Sequence, residues 1–440
     1  MHTLHCPAST RGVLFSAVLA VELTFGVASP ARAFDQAKPN TLGREEISEG
    51  WVLLFDGEST FGWQERRGAE AAIVDGALQV VSGERGWLGT TTEFADFVLR
   101  MEYRVDEPGA ACEVVLRCAA PGDPRRAGTP LKFESVDATE TWNRVEIRAE
   151  GPHLNVAANG KPAARTEIPS SDYARRPRGL IGLVGNGTVT FRNVALRPLG
   201  TEPIFNGRDL TGWSVVPGHQ SVYRVTPEGW LNVTDGNGQI ETESVWDDLV
   251  LQLDVISNGD HLNSGVFFRG DKGAFWSGYE SQVRNEWITE VTLKDGTTLE
   301  GSYTEKGASV ELRRCEEDGM RLRPTNDVRA LSKDDVAKTT EHRASPVDFG
   351  TGGVYNLQPA RTVVPSDRRW YTKTIVAAGN HIAVWVDGYP VSDFTDTRPR
   401  GRNARTNQRL EAGPISLQGH DPTTDLSFRN LRLAPLPKRP

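Results

Sequence analysis

Cysteine is nearly missing from this chain, with 4 in 440 residues. Cys6 precedes an apolar N-terminal run, and the others are Cys112, Cys118 and Cys315. Cys112 and Cys118 flank what reads as one strand, and six residues of strand span roughly 20 Å, beyond disulfide reach. An odd remainder with this spacing argues for buried, inert thiols. It speaks against a disulfide framework and against a zinc site with cysteines two to four residues apart. Positive charge is also short: 50 Lys and Arg stand against 58 Asp and Glu. No basic stripe gathers the field that phosphate backbones need, so nucleic acid is not an expected partner. Helix-period patterning is almost absent. The chain has no H-E-x-x-H, no G-x-S-x-G, no P-loop and no dinucleotide-type glycine fingerprint. Beyond the N-terminal region no segment is apolar enough to span a bilayer.

What is present begins with an export signal over Met1–Ala33. Arg11 supplies the positive start, Gly12–Ala28 is mostly apolar, and Ala31-Arg32-Ala33 fits a small-x-small cleavage site. The apolar run is too short for a membrane span, so the mature chain is expected to be exported, to the periplasm or the outside. Residues 34–48 read as a linker.

Glycine, proline and tryptophan are plentiful, at 44, 26 and 11 residues, which suits many short strands joined by tight turns. The chain also repeats itself. WVLLFDGESTFGW (Trp51–Trp63) matches PIFNGRDLTGW (Pro203–Trp213), and FADFVLRMEYRV (Phe94–Val105) matches WDDLVLQLDVIS (Trp246–Ser257). VVLRC (Val114–Cys118) matches VFFRG (Val266–Gly270), and the hairpin ending in Asn159-Gly160 matches the one ending in Asp387-Gly388. The FRN close at Phe191–Asn193 recurs at Phe428–Asn430. Alternating apolar and polar residues in these segments mark half-buried strands. Two units of this size are globular domains rather than solenoid repeats. The expected organisation is all-β: a first sandwich over 49–199 and a second over 203–436, joined at Leu199–Pro203.

The second copy is longer because 287–344 has no counterpart. Within it, strict alternation around Asp295-Gly296 and Lys306-Gly307 turns predicts a β-rich insertion, since a structureless loop of that length is unusual. It resembles small Sm-like or SH3-like barrels, and a long decorated hairpin is the plainer alternative.

Chemistry is expected where the second copy has polar residues that the first lacks. Asn263 precedes the VFFR strand, and in GYESQ (Gly278–Gln282) Glu280 and Gln282 share one strand face. Tyr355 follows the insertion. Gln418, His420 and Asp421 end a strand where copy one has only Val184-Gly185-Asn186. A glutamate, a histidine, an arginine and amides on one free sheet face make a usable acid/base and sugar-binding site. Each has a structural alternative. His420 caps a loop, Glu280 is a solvated strand residue, and Arg269, which recurs as Arg117, makes an ion pair that holds the fold. Trp385 and Trp370 either stack on sugar rings or pack in the core.

FNGRDLTGW (Phe205–Trp213), NSGVFFRG (Asn263–Gly270), GYESQ, GNHIAVWVDG (Gly379–Gly388) and ISLQGHDP…FRNLRL (Ile415–Leu433) resemble the 3-keto-disaccharide hydrolase domain family. That family is also described as 3-keto-glucoside lyase and 3-keto-2-hydroxyglucal hydratase. The second copy matches throughout except at its insertion, and the first matches in part. The resemblance implies a concanavalin A-like jelly-roll sandwich and an oxidised, 3-keto glycoside or other carbohydrate as substrate. It implies His420, Glu280 and Tyr355 as catalytic groups. Arg269, Gln282, Asn263, Gln418, Asp421 and Trp385 would then bind the sugar. It leaves room for a divalent metal, for which the sequence shows no ligand set. A non-catalytic carbohydrate-binding, lectin-like module is the competing class, because fold does not fix function. On a third reading the insertion docks another protein.

Overall fold

The computed structural model describes residues 38–83, 85–119, 128–133 and 141–438. The expected signal peptide and Cys6 lie outside them. Among the described residues no helix is long and apolar enough to cross a membrane.

The architecture is all-β, and each half is a pair of antiparallel sheets, one of eight strands and one of five, with the same strand order in both halves. Alternation builds the second pair. In Leu249–Ser257, Leu249, Leu251, Leu253 and Val255 enter the core between its sheets, while Gln252 on the other face donates to the Gly50 carbonyl at 2.9 Å. The small sheet facing it runs Trp213–Val215, Gly238–Thr242, Ser416–Gly419, Ser264–Phe268 and Tyr279–Val283. Its inward residues include Ile240, Leu417, Val266, Phe268 and Tyr279. Its outward residues are Gln239, Glu241, Gln418, Gly265, Phe267, Glu280 and Gln282, aligned across neighbouring strands by the ladder register.

The first half lies against the back of the second half's large sheet. Val250, Val376, Ala383 and Trp385 point out of that sheet into the first half's apolar cluster. Trp385 is buried there, with its Nε1 donating to the Leu53 carbonyl at 2.8 Å and its ring centroid 6.3 Å from that of Phe94. Trp385 therefore joins the two halves and is not a sugar platform. Trp370 packs against Trp230 and under Arg429.

The insertion is a five-stranded antiparallel sheet of its own. Its strands are Trp287–Leu293, Thr298–Lys306, Ser309–Asp318, Arg321–Ser332 and Val336–Pro346. In space the fourth strand is at one edge and the fifth at the other, beside the first. Val291, Leu293, Val310, Leu312 and Leu331 form its small core. The barrel expectation needs correction on one point: no ladder joins the two edge strands, so the sheet does not close.

Cys112, Cys118 and Cys315 are free thiols, the first two buried. Burial pushes Cys118 up to about 12.

Candidate active site

The outward face of the second half's small sheet carries most of the candidate residues. Glu280 is 3% exposed. Its Oε2 accepts from Arg405 Nη2 at 2.9 Å and from Trp276 Nε1 at 3.3 Å. Burial raises its pKa against the lowering pull of Arg405, of Trp276 and of His420. Gly265 on the neighbouring strand makes room for it, since a Cβ there would sit 2.5 Å from Glu280 Oε1.

His420 follows the Ser416–Gly419 strand, and its backbone N–H donates to Thr424 Oγ1 at 3.0 Å. Its Nδ1 lies 2.7 Å from Asp421 Oδ1. That hydrogen bond raises the imidazole pKa against the opposite effect of burial, and the charges of Asp421, Glu280 and Asp348 add to the rise. Asp421 is lowered in turn by His420, and it also feels Arg284 and accepts from the Asn263 backbone N–H. The charges of Glu280 and His420 act on one another, lowering the carboxyl and raising the imidazole.

Tyr355 completes the rim. Its hydroxyl accepts from Arg321 Nη1 at 2.9 Å, which leaves its own proton free to be donated. Burial raises its pKa, and the nearby charge of Asp348 adds to this. Asp348 also holds Arg321 at 3.0 Å and accepts from Asn263 Nδ2 at 3.4 Å. Gln282 donates to the Asp348 carbonyl at 2.9 Å. Three buried side-chain oxygens on this face, Glu241 Oε2, Gln282 Oε1 and Gln418 Oε1, have no hydrogen-bond partner. Buried polar atoms are rarely left so, and all three residues belong to the outward face that bears Glu280.

Seven of the nine residues singled out in the sequence share this face or its rim: His420, Glu280, Tyr355, Gln282, Asn263, Gln418 and Asp421. Trp385 and Arg269 do not. Arg269 is fully buried, and its guanidinium is spent on the carbonyls of Asp247, Gly379 and Arg409 and on Asp248 Oδ1. Arg117 does the same in the first half, toward Ala95, Gly151 and Asp96. Both arginines stand at the ends of matching strands in the left-handed region, at φ of 55° and 54°. Substrate binding by Arg269 is corrected to a fold-holding role.

Sequence reasoning missed Arg405, Trp276, Arg321 and Asp348. Trp276 was signalled by its place four residues before Glu280. Arg405 sits in an arginine-rich stretch, Arg398–Arg409, that the duplication leaves unmatched.

The ladders equate the halves residue by residue. Trp87 stands where Gln239 does, Val184 for Gln418, Pro130 for Glu280 and Lys132 for Gln282. Trp87, Val115, Cys118, Leu180 and Val184 form an apolar cluster in the first half. That half has the same fold with an apolar cluster where the second half has the polar face.

The donors do not fit a metal. Among the described residues no three His, Cys, Asp or Glu side chains converge as a ligand set, and Asp421 and Asp348 are already engaged by His420 and Arg321.

No curated protein matches the chain. A "Putative glycosyl hydrolase" from Parabacteroides distasonis ATCC 8503 shares 20% identity over 54% of this chain and 99% of its own, with a TM-score of 0.33. The carbohydrate binding module CBM66 from Bacillus subtilis shares 15% over 52% of this chain and 97% of its own, with a TM-score of 0.29. The family model of the 3-keto-alpha-glucoside-1,2-lyase-like domain matches residues 50–135, 127–197 and 200–434, and the chain belongs to that family.

Proposed function

We propose that this is an exported enzyme that cleaves 3-keto-glycosides by elimination at the second half's outer sheet face. A ketone at C3 acidifies the C2 hydrogen, because the electron pair left behind spreads onto the carbonyl oxygen. His420 takes that proton. Its Nδ1–H is directed at Asp421, which leaves Nε2 as the basic nitrogen. The electron pair then returns from the enolate to form a C1–C2 double bond and expels the C1 oxygen. Glu280, whose burial favours its protonated form, gives that oxygen a proton. Tyr355 donates to the enolate oxygen, and Arg405 adds positive charge beside it. Addition of water at C1 afterwards gives net hydrolysis.

What supports this reading is that buried Glu280 on the outward sheet face and the His420–Asp421 pair at its edge, 2.7 Å apart within the pair, stand together with the unpartnered buried oxygens of Glu241, Gln282 and Gln418. Such a pair suits proton removal and return. It does not need the two carboxylates of ordinary glycosidases. The test is turnover of a 3-keto-glucoside by H420A and E280Q. Each is expected to lose on the order of 10²–10⁴-fold in rate. Binding of unoxidised sugars with no turnover by the wild type would move the protein to the lectin-like class.

A further inference from the structure

The insertion reaches the site. Its hairpin between Ser309–Asp318 and Arg321–Ser332 turns at Gly319 and Met320. The turn is braced internally and anchored at the rim. Arg321 holds Asp348 and Tyr355, Asp318 holds Arg321 at 3.0 Å, and the Asp348 N–H donates to the Leu322 carbonyl. Met320, presented beside this anchor, is 57% exposed, more than any other large apolar side chain among the described residues. It forms one wall of a cleft of about 500 Å³ whose other walls include Asn356, Leu357, Phe394, Arg398 and Arg405. That volume lies in the range of small-molecule sites. Arg405 belongs to both places, because the guanidinium lining the cleft also pairs with Glu280.

We propose that this cleft receives the departing aglycone and that the inserted sheet supplies its outer wall. The proposal rests on the elimination reading above. In that reading the C1 oxygen leaves next to Glu280, so the group attached to it extends past Arg405 into this cleft. Met320, Leu357 and Phe394 offer apolar contact, while Asn356 and the two guanidinium groups stand among them. The ligand class is a ring-sized aglycone with an apolar face. The insertion is then a specificity element for the second half's site, not a separate module.

The experiment compares a phenyl and a methyl 3-keto-α-glucoside on the full-length protein and on Met320→Ser. Met320 is exposed, so the variant should fold, and its melting temperature checks this. Loss of one apolar wall is expected to lower the phenyl-to-methyl ratio of kcat/KM by about tenfold. An unchanged ratio, with both substrates turned over, overturns the cleft and leaves the elimination reading standing. Failure of the wild type to turn over either substrate overturns the elimination reading and the cleft's role with it.

Discussion

The ammonium group of Lys373 lies inside the second sandwich and donates to the Gln282 carbonyl at 2.7 Å and to that of Ser281 at 2.9 Å. Lys373 is on the large sheet, so it ties that layer to the strand carrying Glu280. Register places Val145 at the matching position in the first half and Leu131 opposite it, where the second half has Ser281. The polar pair therefore goes with the half that carries the site.

Burial lowers Lys373 to about 7, only partly opposed by the charge of Glu280. Below that value the amine is charged in both folded and unfolded chains, and its burial penalty is constant. Between about 7 and the ordinary 10.5 the unfolded chain binds the extra proton, so stability rises with pH. Lys373→Met removes this dependence. The stability difference between wild type and K373M should move in favour of wild type by on the order of 2 kcal/mol from pH 7 to pH 9.5. Urea midpoints at both pH values measure it, and a difference that does not change with pH would show that the folded lysine stays charged.

The His420–Asp421 pair makes a separate prediction about pH. In the proposed reaction deprotonated His420 is the base, so kcat/KM should fall on the acid side as the imidazole takes up its proton. The hydrogen bond to Asp421 is the largest cause of the raised pKa. Asp421→Asn should therefore move the acid limb to lower pH while reducing the maximal rate. Movement of the alkaline limb instead would make His420 the acid.

Much of this arrangement was legible in the sequence, for physical reasons. Strand alternation has a period of two, so the faces of Leu249–Ser257 and Tyr279–Val283 follow from their letters. The duplication made a comparison possible: His420 and Glu280 stood out because Asn186 and the first copy's strand offered no equivalent. Arg405 was hidden because a long loop brings it back over the sheet from 125 positions away. Arg321 was hidden because the insertion looked self-contained, and only its turn touches the site. Trp385 and Arg269 were placed wrongly for a related reason. Residue type tells that a side chain is large or charged, but not that its face of the sheet abuts the other half or that its donors are spent on carbonyls.

Arg269 and Arg117 should behave alike if both hold the fold. Replacing either with Met leaves several buried carbonyls and one aspartate without their donor, at a cost of about 3 kcal/mol or more. Both variants should melt at lower temperature, while the turnover of the remaining folded protein stays near that of wild type. A selective rise in KM for R269M, with unchanged melting, would return Arg269 to the substrate.

The Glu280–Arg405 pair should show strong coupling. Arg405→Met strands a buried carboxylate, which costs about 3–5 kcal/mol if it stays charged and less if it takes up a proton. Adding Glu280→Gln removes the charge, so the double variant should be more stable than R405M alone. Thermal denaturation of the four proteins in the cycle gives the coupling energy, expected at 0.5–3 kcal/mol in magnitude. Additive effects would mean that the two groups do not interact.

Gly265 gives the sharpest structural test of where the Glu280 carboxylate must lie. The glycine is not needed for an unusual backbone angle, since its φ is not among the positive ones. It is needed for space, because its missing Cβ would fall 2.5 Å from Glu280 Oε1 and 2.8 Å from Phe267 Cε2. In Gly265→Ala the carboxylate must swing away from the sheet, dragging against Arg405 and Trp276. The first half has Glu113 at this register position, opposite Lys132, and Pro130 in the place of Glu280. The strand therefore tolerates a side chain once Glu280 is absent. G265A should accordingly lower kcat by about tenfold or more, and in an E280A background the same substitution should cost less melting temperature than in wild type, the contact with Phe267 being what remains. Full activity in G265A would show that the position of this carboxylate does not matter to the reaction.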